Sequence, residues 1–155
     1  MTANTGRTNA KHIKIYLDNS GGTLTDLSAY GIEIGQVGLN HETTDVTAFS
    51  DGVRNITIGR PEAPLQWSGP FDTVLHAHMV ALLAAVAAGT NSPLSLDIRV
   101  GIRHAWEDGE PQFGITQSAT SGYLLHSYTT DGVTWSAQFD VFGPTAPAWG
   151  TAAET

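Results

Sequence analysis

Residues 13–31 read IKIYLDNSGGTLTDLSAYG, a stretch in which strand alternation runs straight into dense turn chemistry. Ile13, Ile15 and Leu17 recur with period 2, so they share one face of a strand, with Lys14 and Tyr16 on the other. Asn19-Ser20-Gly21-Gly22 then supplies residues that tolerate positive φ or bond their own backbone, which predicts a sharp reversal. The following DLSAYG redirects the chain toward a second short apolar pair, Ile32 and Ile34. An antiparallel β protein is the expectation.

The rest of the chain extends this reading. Leu94, Leu96, Ile98, Val100 and Ile102 alternate with Ser95, Asp97, Arg99, Gly101 and Arg103, predicting a long strand with one wet or interface face. Val133, Trp135, Ala137, Phe139 and Val141 do the same against Thr134, Ser136, Gln138 and Asp140. Shorter strands are expected around Val46 and Ala48, Ile56 and Ile58, Leu65 and Trp67, and Tyr123 and Leu125, with Asp131-Gly132 as a two-residue hairpin turn over 123–141. Such a count predicts a sandwich or barrel. One helix is predicted over 73–88, capped by Asp72 or Thr73, packed through Leu75, Met79, Leu82, Leu83 and Val86, and ended by Gly89. Its opposite face (Ala77, Val80, Ala81, Ala84, Ala88) is unusually apolar for water, which suggests cover by a sheet and by a neighbouring subunit. Residues 1–11 and 143–155 read as arms flanking a single domain over 12–142, and the polar segment 40–61 reads as a long loop extended outwards.

Composition narrows the function. Of 155 residues 41% are hydrophobic and only 14% charged, so Ser, Thr, Gly and Ala must cover much of the surface, which tolerates burial against partners. The formal charge is −8, and every Lys or Arg lies at or before Arg103, leaving the last third purely acidic. Tight nucleic-acid binding draws on Lys and Arg at phosphates, so a DNA or RNA clamp is disfavoured. A surface that DNA slides past is compatible. Absence of cysteine excludes disulfides, thiolate metal sites and cysteine nucleophiles. MTANTGRTNAK lacks the apolar core of a signal peptide, and the apolar run 74–88 falls short of the roughly 20 residues that span a bilayer. A soluble protein with no membrane partner is expected.

No arrangement of chemical groups completes an active site. His76 and His78 resemble a metal pair, but residues two apart on a helix point roughly 200° away from each other. Glu107, Asp108 and Glu110 sit in EDGEP, which reads as a solvated turn. His41, Glu42, Asp45 and Asp51 offer oxygen and nitrogen ligands without the regular spacing of a calcium loop. Ser68-Gly69 lacks a nucleophile-elbow sequence, and Gly21-Gly22 does not sit between strand and helix as a phosphate loop would. Trp67 and Trp135 fit strand faces in a core, whereas Trp149, in a Pro/Gly-rich tail, suits docking onto another surface. Neither a cofactor nor an enzymatic activity is expected.

Three stretches carry a family resemblance: IKIYLDNSGGTLTDLSAYG, then ETTDVTAFSDGVRNITIG, then APLQWSGPFD before an apolar helix. In this order they resemble the tail tube (major tail) proteins of long-tailed, non-contractile bacteriophages, over roughly residues 12–90. The matching positions are Asp18, Asn19 and Gly22; Asp26, Leu27, Ser28 and Tyr30; and Asp45, Val46, Thr47, Phe49, Asp51 and Gly52. The resemblance implies an antiparallel β-sandwich or half-barrel with one flanking helix. It also implies hexameric rings whose inner sheets join around a channel, stacked into a tube that conducts DNA during ejection. Implied partners are further copies, the tape measure, terminator and distal tail proteins, and genomic DNA passing without specific binding. The place implied is the virion tail, assembled in the host cytoplasm. On this reading His41, Glu42, Asp45, Phe49, Asp51, Arg54 and Arg60 lie in a loop reaching the adjacent ring, and Trp149 makes an arm contact. Alternatives are a capsid decoration or head-to-tail connector protein on the same sandwich, and a small enzyme or carbohydrate-binding sandwich using Trp106 and nearby acids.

Overall fold

A computed structural model of the chain describes residues 13–19, 23–31, 33–87, 93–100 and 111–151. Among the described residues eleven strands and one helix follow in the order β1 (Ile13–Asp18), β2 (Leu24–Asp26), β3 (Glu33–Ile34), β4 (Asn40–Asp45), β5 (Ile56–Glu62), β6 (Leu65–Pro70), α1 (Thr73–Ala87), β7 (Leu96–Val100), β8 (Pro111–Ile115), β9 (Gly122–Thr130), β10 (Thr134–Phe142) and β11 (Ala148–Thr151). They build a five-stranded sheet, β11-β8-β7-β1-β2, a four-stranded sheet, β3-β6-β10-β9, and a separate two-stranded ribbon, β4-β5. All pairings are antiparallel. The expected fold class, mainly antiparallel β with one flanking helix, is the one observed.

Alternation explains how the two larger sheets close on each other. Ile15, Leu17, Leu96, Ile98 and Phe113 from one sheet are buried, as are Leu65, Trp67, Trp135, Ala137, Phe139, Tyr123 and Leu125 from the other, in a single apolar cluster. Trp67 and Trp135 meet edge to face, ring centroids 5.0 Å apart at 80°. Such a geometry contributes about 0.5–1.5 kcal/mol beyond burial. The chain at Tyr30 and Gly31 is pressed onto this pair: a Cβ on Gly31 would collide with the Trp67 indole, and one on Gly69 would collide with the Tyr30 carbonyl. Both glycines are therefore required by close approach.

Helix α1 starts where Asp72 caps it, its carboxylate accepting from Val74 N–H at 2.8 Å and Leu75 N–H at 3.3 Å. Leu75, Met79 and Leu82 face the core. The two histidines have separate partners: His76 Nδ1 lies 3.0 Å from the Tyr128 hydroxyl, and His78 Nε2 lies 3.1 Å from the Asp18 carbonyl. Burial pushes the His78 imidazole pKa down, against the pull of Asp18.

Several expectations are corrected. Segment 40–61 is not a structureless loop but the β4–β5 ribbon, and Val46 and Ala48 lie beyond its strands near the tip. Residues 148–151 of the C-terminal arm are a strand paired with β8. The face of β7 expected to be wet or at an interface is buried at Asp97 and Arg99, as is Ser95 just before the strand; Arg99 donates to Asp97 at 3.1 Å, with its guanidinium over the Tyr16 ring. Burial raises the Asp97 pKa and Arg99 opposes the rise. At the β9–β10 turn Asp131 N–H donates to the Thr134 carbonyl, so the tip is Gly132 (φ 89°) and Val133, one residue later than expected. Expectations for residues 1–12, Ser20 to Gly22, Ile32, the side chain of Val86, 88–92, Gly101 to Glu110 with Trp106, and 152–155 lie outside the described residues.

Gly31→Ala is expected to destabilise the fold by about 1–3 kcal/mol through overpacking against Trp67. Gly52→Ala, where an added Cβ meets nothing within 4 Å, should change stability by no more than about 0.5 kcal/mol. Urea midpoints of the two variants check this, and equal midpoints would contradict the close approach.

Candidate assembly surface

The β4–β5 ribbon is exposed along its whole length. Thr43 pairs with Ile58 and Asp45 with Ile56, putting both isoleucines on one face, while a bulge between His41 and Thr43 displaces Glu42. A two-stranded ribbon without a core beneath it is marginal in water. Side chains at its tip compensate. The Asp45 carboxylate accepts from Thr47 N–H (2.9 Å) and from the Thr47 hydroxyl (2.6 Å), and pairs with Arg54 at 3.4 Å. Thr47 Oγ1 in turn accepts from Asn55 N–H at 2.8 Å. Asp51 accepts from Ala48 N–H and from the Asn55 amide, each at 2.8 Å. These bonds hold both carboxylate pKa values below the ordinary range, led by the Thr47 hydroxyl at Asp45 and by the Ala48 N–H at Asp51.

Asp45 and Asp51, two of the acids that resembled cation ligands, are thus turn-forming groups. Asp45 and Arg54 come together, Asp51 joins Asn55, and His41, Glu42 and Arg60 stand apart near the base. Among the described residues no three His, Asp or Glu side chains converge on a metal position. What the polar network presents is apolar: Phe49 fully exposed, with Val53 at 73%, Ile58 at 65% and Val46 at 52%.

The ribbon's base is anchored in the core. Tyr123, fully buried, donates its hydroxyl to the Ala63 carbonyl at 3.0 Å, in the two-residue link between β5 and β6. Burial drives the Tyr123 pKa far upward, so this hydroxyl keeps its proton.

The turn-motif residues have structural work. Asp18 N–H donates to the Ser95 carbonyl, and the Asp18 carboxylate accepts from Ser95 N–H at 3.1 Å. Asn19 closes the reversal by donating to the Thr23 carbonyl at 3.0 Å. Ser28 accepts from Ile15 N–H at 2.8 Å and donates to Asp26 at 2.6 Å, tying DLS onto β1. Burial works to raise the Asp26 pKa, but bonds from Ser28 and the Lys14 ammonium outweigh it, leaving a net lowering. Tyr30 packs against the core. Trp149 packs on Phe113 of its own chain, centroids 5.1 Å apart, with half its surface open.

Three features went unforeseen. The outer edge of β9 has no strand partner among the described residues beyond the Leu94–Tyr123 bridge. Cross-strand rows of polar residues, such as Glu33-Ser68-Ser136-Thr129 and Gln66-Gln138-Ser127, cover the outer face of the four-stranded sheet. Its four strands contain no Lys or Arg, and its charged groups are Glu33, Asp140 and, when protonated, His126, which lies 3.0 Å from Asp140. The alternation of β10 held the signal for that face.

Known structures share this fold. A chain from the virion of the native gene transfer agent (GTA) particle aligns with a TM-score of 0.59 at 16% identity, over 93% of this chain and 99% of that one. A chain from the tail of the empty GTA particle, refined helically with C6 symmetry, gives 0.55 at 17% identity with the same coverage. A chain from the six-fold symmetrised baseplate of the anti-feeding prophage (AFP) gives 0.53 at 6% identity, over 96% and 97%. No protein-family model and no curated protein sequence matches the chain. The shared fold spans nearly the whole chain in each case.

Tyr123→Phe is expected to cost about 1–3 kcal/mol by leaving the Ala63 carbonyl buried without a donor. A denaturation midpoint equal to that of the parent chain would contradict the anchor.

Proposed function

We propose that this chain is a structural virion protein, the tail tube subunit of a long-tailed phage-like particle, and not an enzyme. Six copies form a ring, rings stack into a tube, and DNA travels through the bore. The observation that carries this reading is the β4–β5 ribbon, which projects an apolar tip that the chain's own core does not use. It is supported by near-complete fold correspondence with chains of the GTA tail, the GTA virion and the AFP baseplate, the first refined with C6 symmetry and the last six-fold symmetrised. The ribbon's residues His41, Glu42, Asp45, Phe49, Asp51, Arg54 and Arg60 then belong to the junction between stacked rings.

The four-stranded sheet is suited to line the bore. Retention of DNA needs cations at phosphates, and strands β3, β6, β10 and β9 supply no Lys or Arg. Hydroxyls and amides hydrate the wall while the acidic groups repel the backbone. Unpaired edges such as β9 are a liability for a solitary protein but are pairing sites in a ring. Other copies, the tape measure, terminator and distal tail proteins and the passing genome are the partners of this reading. Assembly belongs to the host cytoplasm.

Concentrated purified protein is expected to form tubes or stacked rings under negative stain, whereas dispersed monomers or trimers at every concentration would move the assignment toward a shell-bound protein. Replacing residues 46–55 by an Asn-Gly turn should leave a folded chain that no longer stacks; normal tubes from that variant would remove the ribbon from the ring junction. In particles, Ser136→Lys with Gln66→Lys should slow DNA exit at low salt and release the block as salt rises, because counterion release governs such contacts. Unchanged exit kinetics would place another face on the bore.

A further inference from the structure

Helix α1, TVLHAHMVALLAAVA, contains no charged residue, in its end turns or between them. Leu75, Met79 and Leu82 account for its buried side. The opposite side is exposed yet equally apolar: Val74 at 60%, Val80 at 45%, and the exposed Ala77, Ala81 and Ala84. A helix facing water on one side normally turns polar residues outward, and one that is apolar all round is covered all round. Something covers this face in the working state.

The same chain carries an uncovered apolar knob to match. Phe49, Val53 and Val46 crown the ribbon tip, and the charges beside them are already used, Asp45 with Arg54 and Asp51 with Asn55. We propose that the exposed face of α1 is the seat for the ribbon tip of another copy, with Phe49 lying over Ala77 and Ala81 between Val74 and Val80. This rests on the tail-tube reading and names the surface at which the ribbon ends.

Reach favours another copy over the parent chain. The six strand residues Asn40–Asp45 extend about 20 Å at ~3.3 Å per residue and carry the turn with Phe49 beyond them, against a radius of gyration of roughly 15 Å for a domain of this size. Chemistry favours this seat: the tip's ion pair and hydrogen bonds stay intact, and an uncharged helix face loses little hydration on contact. Knob and seat are different surfaces, so the contact is head to tail and propagates instead of closing a dimer. Area fits as well. One aromatic of about 150–250 Å² and a few aliphatic side chains fall below the roughly 1,000 Å² of a stable pair. A single contact is therefore weak, and repetition around a ring makes the junction hold.

Because the chain has no cysteine, disulfide mapping is clean. Phe49→Cys with Val80→Cys, oxidised under tube-forming conditions, is expected to give a ladder of covalent species beyond the dimer, while either single variant stops at dimers. Tubes visible by microscopy without a ladder, including the case of an intrachain disulfide, would overturn the seat and leave the tube reading standing; if the parent chain forms no tubes, that reading falls and the seat with it. Should Phe49→Cys weaken assembly, Val53→Cys with Val74→Cys asks the same question. Val80→Asp, at an exposed position, should keep the parent's melting temperature and raise the concentration threshold for tubes at least tenfold; an unchanged threshold would also overturn the seat.

Discussion

The Trp67–Trp135 contact sets the distance and angle at which the strands of the four-stranded sheet meet the rest of the core. Two large rings on neighbouring strands β6 and β10 leave no room for side chains where the chain crosses them, so Gly31 and Gly69 follow from their presence. Both indole N–H groups are buried without an acceptor, a penalty that only good packing of the surrounding aliphatics can offset. Everything outside the sandwich is positioned from here. DLSAYG is laid over the tryptophans, Tyr123 fixes the start of β6 through Ala63, and the ribbon leaves from that fixed point.

From this core outward, polar side chains serve mainly as ties within the backbone. Asp18 fastens β1 to the entry of β7, Ser28 fastens the second turn to β1, and Asp72 starts the helix. At the ribbon tip Asp45, Thr47, Asp51 and Asn55 do the same for a segment with no core. Spending acids on local geometry explains why, among the described residues, no three His, Asp or Glu side chains converge. It also explains how apolar side chains can be held out in water: the tip keeps its shape without collapsing them inward.

How much of this was legible depended on where each strand finds its stability. β1, β6, β9, β10 and α1 bury one regular face, and their periodicity announces it. β2 (LTD) and β4 (NHETTD) lack apolar alternation because pairing with β1 and β5 makes them strands. In β8, Pro111 and Gly114 break the pattern and only Phe113 is buried, while β11 is short and lies on an edge. The reading of β7 erred differently: Asp97 and Arg99 look water-facing until each is seen as the other's partner in a central strand. In the candidate surface, Ile56 and Ile58 marked β5 by their alternation, but the polar NHETTD of β4 did not show that 40–62 pairs into a ribbon. The polar outer face of the four-stranded sheet required knowing which strands adjoin.

Charge and shape together restrict how copies can meet. With a net charge of −8, copies repel at long range, and screening confines that repulsion to about 8 Å at physiological salt. In the proposed assembly, association is driven by short-range apolar contact, for which the ribbon tip and the outer side of α1 offer exposed apolar groups and the hydroxylated four-stranded sheet does not. The ribbon carries Arg54 and Arg60 against Glu42, Asp45, Asp51 and Glu62, so it too is net acidic, and its contact with a neighbour has to come from the apolar tip. In the proposed ring, those apolar contacts leave the unadhesive polar sheet facing the remaining open space. A surface that sticks neither to its own kind nor to phosphate is what a conduit for nucleic acid requires.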